Sequence, residues 1–205
     1  MNLPPRAPRL LAALAQTVAS TAAIAVAATL ALSAPAWAQK VRLATSMGDI
    51  VLQLDADKAP KTVANFLQYV QAGHYSGTVF HRVIDGFMIQ GGGMGADMQE
   101  KPTRAPIPLE SRNGLSNVRG SVAMARTMVP DSATAQFFIN LNDNLRLDAA
   151  QSADGNGYAV FGKVIEGMDV VERIKAVPVG NKAMHQNVPQ QAILIKQATL
   201  LKDSK

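Results

Sequence analysis

Residues 80–92 read Phe-His-Arg-Val-Ile-Asp-Gly-Phe-Met-Ile-Gln-Gly-Gly. Two apolar-rich runs flank Asp85-Gly86, and aspartate–glycine between alternating hydrophobics is a strong local signal for a β-hairpin. Antiparallel pairing is therefore expected at this point of the chain. Arg82 lies inside one of the runs, where a guanidinium is costly unless paired or used. Two readings stand side by side: a packed stem with its head in water, or a charge placed for function.

The flanking segments alternate between periods of two and 3.6. Residues 41–45 and 49–54 read as strands, with Ile50, Leu52 and Leu54 on one face and Met47-Gly48 as the turn. Residues 60–73 switch to helical spacing through Val63, Phe66, Leu67 and Val70. Pro60 suits the first turn and Gly73 the position past the end. Residues 91–120 form a long connection rich in glycine and proline. Its glycines suggest close backbone approach at a bend, since the lysine of a phosphate cradle is missing.

Residues 118–126 and 136–141 are two more strands. In the second, Gln136, Phe138 and Asn140 share one face, while Phe137, Ile139 and Leu141 share the other. One phenylalanine enters the core. Its neighbour either walls a binding surface or lies under a helix. A polar loop (142–156), a strand (158–164), a short helix (168–177), an irregular segment (178–189) and a closing strand (192–201) complete the chain. Many short strands with two helices indicate a mainly β, closed antiparallel sheet.

Residues 1–38 read as a secretory signal peptide. Arg6 and Arg9 precede an alanine-rich apolar run, and Ala36-Trp37-Ala38 has the small-x-small pattern of a cleavage site. The mature chain is expected to be a single domain, residues 39–205, exported to the periplasm without stable membrane insertion. An uncleaved anchor is the competing reading, because 10–32 is long enough to span a bilayer. Of the 20 basic residues, two fall in the signal, leaving 18 against 15 acidic. That mild excess, with no basic run, does not suggest nucleic-acid binding. The chain has no cysteine, which excludes disulfides and thiolate chemistry. Neither a G-x-S-x-G elbow nor an H-E-x-x-H pair occurs, and His74, His81 and His185 are too scattered to suggest a metal.

Residues 80–92, with the blocks Ala135-Gln136-Phe137-Phe138-Ile139-Asn140 and Tyr158-Ala159-Val160-Phe161-Gly162-Lys163-Val164, resemble the cyclophilin family of peptidyl-prolyl cis-trans isomerases. Three blocks in family order make the resemblance specific. It implies an eight-stranded antiparallel barrel with a helix at each end and a peptide groove on the outside. It also implies a cofactor-free enzyme, expected to be a monomer, acting on proline-containing peptides and unfolded exported proteins. By resemblance Arg82 is the catalytic donor, Phe87, Met88, Phe138 and Leu147 form the proline pocket, and Gln90 orients Arg82. Ala125, Arg126 and Gln136 line the peptide backbone, with His81 and Tyr158 at the periphery. A binding module that grips proline segments without turnover is the alternative, against which the Arg82–Gln90 pair argues.

Several residues depart from the family pattern. Arg146 stands where an aromatic important for cyclosporin binding is common. Arg126 replaces an asparagine and is expected to add charge to the groove. Gly93 replaces an aspartate, and Tyr158 a histidine. Strict alternation would place Phe87 opposite Met88 and Gln90, so a bend near Gly86 is required.

Overall fold

The Asp85-Gly86 turn forms as its sequence demands. In the computed structural model, which describes Met1 and residues 39–202, Gly86 takes φ 70° and the Phe87 amide donates to the Ile84 carbonyl at 3.1 Å. The positive φ is readily accessible to glycine. The turn joins Thr78–Ile84 to Met88–Gly95. Around this hairpin the strands are β1 (Lys40–Thr45), β2 (Gly48–Leu54), β3 (Thr78–Ile84), β4 (Met88–Gly95), β5 (Ser121–Met124), β6 (Phe137–Asn140), β7 (Val160–Glu166), β8 (Val179–Lys182), β9 (His185–Pro189) and β10 (Leu194–Leu201). The α-helices among the described residues are α1 (Pro60–Gln71) and α2 (Met168–Lys175), with a 3-10 turn at Leu145–Leu147.

Eight strands close into an antiparallel barrel in the order β1-β10-β3-β4-β6-β5-β7-β2, and β8 and β9 form a separate two-stranded sheet. Closure removes free edges. The inward residues follow the period-two pattern: Ile50, Leu52 and Leu54 from β2, and Phe137 and Ile139 from β6, are all buried in one core. Phe66 of α1 meets the rings of Tyr75, Phe137 and Phe161 at 5.1–5.7 Å, and Val170, Val171 and Ile174 of α2 join the same core. The barrel interior is thus filled with side chains, which leaves the outer face for binding.

Two expectations require correction. The glycine-rich stretch 91–95 is strand, and the long connection begins only at Ala96. A Cβ at Gly91 would lie 2.9 Å from the Phe80 ring, and one at Gly92 equally close to the rings of Tyr75 and Phe137. Strand β4 therefore runs directly over core aromatics, which only residues without Cβ permit. Segment 178–189 is the β8–β9 hairpin rather than irregular chain. Its Ala183-Met184 turn has no glycine or asparagine to announce it; Ala183 itself takes φ 52°. The proposed signal segment lies outside the described residues.

Candidate active site

The register of the barrel assembles the site. Arg82 on β3 faces Gln90 on β4, Gln90 faces Phe138 on β6, and Phe138 faces Ala123 on β5. This row runs across four strands, so at roughly 4.8 Å per strand the Arg82 and Phe138 backbones are about 10 Å apart. Phe138 is 5% exposed and packs with Met88, Ala123 and Val160 in a small outer cluster, separate from the core. Phe87, Leu147 and Tyr158 pack against that cluster. Among the described residues neither α1 nor α2 contributes to the Phe138 cluster; its neighbours are the outer β-face, Tyr158 and Leu147 of the 3-10 turn Leu145–Leu147.

The expected bend is explained by the turn. Phe87 is its last residue and precedes β4, so strand alternation does not govern its side chain. Its carbonyl accepts from the Leu141 amide at 2.9 Å and from Asn144 Nδ2 at 2.8 Å. Asn144 also donates to Asn140 Oδ1 at 2.7 Å, and Asn140 Nδ2 donates to Ser121 Oγ at 2.9 Å. A buried amide network thus fixes the turn beneath the slot.

A second irregularity places His81. Between Phe80 and Arg82, β3 advances two residues while β4 advances one, from Gly91 to Gln90. This is a β-bulge at His81. A bulge breaks alternation, so His81 and Arg82 both border the groove while Phe80 stays in the core. His81 is 5% exposed and, among the described residues, its Nδ1 has no hydrogen-bond partner. Burial, reinforced by His185 and Arg82 and opposed by a hydrogen bond with Val79, lowers its pKa to about 4. The ring is neutral at neutral pH.

His81, Arg82, Phe87, Met88, Gln90, Ala125, Arg126, Gln136, Phe138, Leu147 and Tyr158 all line one open cavity of about 650 Å³. Arg82 Nη1 donates to Gln90 Oε1 at 3.4 Å, and Gln90 Nε2 donates to Gln136 Oε1 at 2.9 Å. The first bond is long and correspondingly weak, so the guanidinium is oriented without being consumed. A Cβ at Gly93 would sit 2.3 Å from Gln136 Cγ; the missing side chain gives Gln136 its place in the relay. Arg146 lies with Cζ 4.7 Å over the Phe87 ring.

Arg126 differs from expectation. Its side chain is 3% exposed and ion-paired with Asp154. Nε donates to the Gly157 carbonyl at 2.8 Å and Nη1 to the Thr127 carbonyl at 3.0 Å. The Tyr158 ring lies 4.7 Å from Cζ. Its charge is balanced and its donors are engaged, so it forms wall rather than free cation. Hydrogen bonds from Asn156 and Arg126 hold the Asp154 carboxyl well below the usual carboxylate range, keeping that pair ionised. Met94 and the hairpin residues Met184, His185, Gln186 and Asn187 also line the cavity. Sequence reasoning missed the four hairpin residues because the hairpin carried no turn signature at Ala183-Met184. A second cavity of about 580 Å³, at the β2–β7 side, includes Asp55, Asp57 and Lys163 among its lining but no arginine. It offers nothing comparable to the Arg82 donor.

The family model for cyclophilin type peptidyl-prolyl cis-trans isomerase/CLD matches residues 40–200. Peptidyl-prolyl cis-trans isomerase cyp18 of Streptomyces antibioticus is 57% identical, covering 78% of this chain and 98% of that protein. Peptidyl-prolyl cis-trans isomerase B of Escherichia coli strain K12 is 54% identical, covering 76% and 96%. Among solved structures, a cyclophilin type isomerase of Cryptosporidium parvum is 27% identical with a TM-score of 0.68, covering 82% of this chain and all of that one. The fold and these relatives define a prolyl isomerase of barrel type. The chain belongs to the cyclophilin-type peptidyl-prolyl cis-trans isomerase family, and its activity is rotation of X–Pro bonds.

Proposed function

We propose that this isomerase acts on exported proteins as they fold, and that Arg82 supplies the catalysis. The observation that carries the reading is the placement of one oriented guanidinium and Phe138 in a single register row, with Phe87, Met88 and Leu147 lining the same open groove. Rotation about X–Pro breaks amide resonance, with a barrier of roughly 18–20 kcal/mol. As the amide twists, the proline nitrogen becomes pyramidal and regains a lone pair. A donor that meets this lone pair acts in the twisted state and not in either planar one, which is the condition for acceleration. Phe87, Met88, Phe138 and Leu147 hold the proline ring while the Arg82 head, fixed by Gln90 and Gln136, reaches the nitrogen. Arginine stays charged throughout the working range, and the step forms no covalent bond. A related Cryptosporidium parvum structure was solved in the presence of the dipeptide Ala-Pro, which supports a proline peptide as the occupant.

Residues 1–38 direct export and are removed after Ala38, and the mature domain works in the periplasm as a monomer. The support is the positive start, the apolar run and the Ala36-Trp37-Ala38 pattern. A peptide isomerisation assay tests the chemistry: Arg82→Ala is expected to lose about 2–4 kcal/mol of barrier lowering, roughly 30- to 1000-fold in rate. Wild-type turnover in that variant would overturn the mechanism. N-terminal sequencing of the exported protein tests the processing, with Gln39 expected first. Because Trp37 is the only tryptophan, the processed protein should fluoresce as tyrosine alone.

A further inference from the structure

The β8–β9 hairpin stands beside the groove on the Arg82 side and presents Met184 at its tip. Met184 is 95% exposed and lines the same cavity as Arg82. An unbranched thioether held in water contributes nothing to the fold, whereas at the rim of a peptide groove it offers adaptable apolar contact. The tip is not a loose end. Val188 and Pro189 at the base are buried, β9 lies alongside β3, and Lys182 Nζ donates to the Ala96 carbonyl at 3.3 Å. Ala183 at φ 52° and Asn187 at φ 59° set the path that turns this segment toward the groove. His81, a ring that burial keeps uncharged, lines the same cavity as the tip.

The strand pairings place Met88 and Phe138 of the slot on β4 and β6 and Arg82 on β3, and the hairpin strand β9 lies against β3. A polypeptide whose proline fills the slot and whose amide meets Arg82 lies in the same cavity that Met184, His81 and His185 line. We propose that Met184 is a specificity-determining residue, forming with His81 and His185 a subsite that prefers an apolar client side chain outside the X–Pro pair. The proposal rests on the reading of the Arg82 groove as the peptide site. It assigns the enzyme a bias toward prolines set in apolar sequence, the kind that an unfolded chain exposes and a folded surface does not.

The test uses the mature protein and peptide pairs carrying Leu or Gly at the third and second positions before the proline and at the first to third positions after it, leaving the X–Pro pair constant. Wild type should favour Leu at one of these positions by about fivefold in kcat/KM, as partial burial of one apolar side chain provides. The preference should appear in KM, since the contact is made equally in the ground and twisted states. Met184→Ala should bring the ratio near one, and Met184→Leu should keep it. Met128 is 87% exposed but does not line the groove, so Met128→Ala should leave the ratio as in wild type and control for lost surface hydrophobicity. A wild-type ratio near one at every position, or an unchanged ratio in Met184→Ala, overturns the proposal. Undiminished turnover in Arg82→Ala would instead strike the reading of the groove.

Discussion

Replacing His81 by glutamine should remove a specific, calculable part of the acid sensitivity of this fold. In the unfolded chain the imidazole takes a proton near its usual 6.5; in the native protein it resists until about pH 4, chiefly because it is buried. Between those limits the unfolded state binds more protons than the native one, so stability falls as pH falls. The loss begins near pH 6.5 and is complete a little below pH 4. At 1.36 kcal/mol per unit of pKa it totals about 3 kcal/mol, of which about 2 kcal/mol is gone by pH 5. His74 is shifted in the same direction, mainly by burial, and the carboxylates add their own slope, so wild type alone does not isolate the effect. The difference between wild type and His81→Gln does. Urea unfolding of both proteins at about pH 7.5 and about pH 5 should show wild type losing about 2 kcal/mol more than the variant over that interval. Any constant offset from the substitution cancels, because the comparison is between slopes. Parallel pH dependences would refute the argument, showing that His81 is solvated or partnered in solution.

Other expectations follow from the hydrogen-bond geometry. Gly93→Ala puts a Cβ where Gln136 now lies and should weaken the Gln90–Gln136 bond; loss of one such bond predicts about a 3- to 10-fold fall in kcat/KM. In a Gln136→Ala background the same change should add nothing, and additive effects would show that Gly93 acts elsewhere. Asn144→Ala removes the donor to the Phe87 carbonyl and to Asn140 Oδ1. It should cost about 1–3 kcal/mol in urea unfolding, with KM raised as the turn that carries Phe87 loosens. A stability within error of wild type would mean that the amide network is replaceable.

The parts of this protein legible in its sequence are those governed by local period. Ile50, Leu52 and Leu54, or Phe137 and Ile139, declare an inward face because a strand repeats every two residues, and these residues are buried as that repeat requires. The Asp85-Gly86 turn was equally plain, since glycine reaches the positive φ at little cost. What could not be read breaks the period or joins distant segments. The bulge that swings His81 to the groove leaves no composition mark, and neither does the Ala183-Met184 turn. The glycines of β4 looked like loop because the partners that require them, Phe80, Tyr75 and Phe137, come from three other segments. Arg126 could not be known as a wall, because its neutralising partner Asp154 lies 28 residues away.

The site depends on this same distinction. Arg82, Gln90 and Phe138 become a row only because β4 pairs with both β3 and β6 in one register, and the second pairing joins segments about fifty residues apart. Side-chain direction reverses at every residue of a strand, so a slip of one place in β4 would send Gln90 inward and release the Arg82 head. Glycines at 91 and 92 oppose that slip. Each admits a core ring at a distance that no side chain would tolerate; a slip of one place would present Gln90 to the Phe80 ring in one direction, and in the other would put Met94 where Gly93 now makes room for Gln136. The glycine pair in the signature block therefore serves the groove from inside the barrel: by locking β4 over the aromatics, it fixes on the outer face the glutamine whose Oε1 accepts from the Arg82 guanidinium.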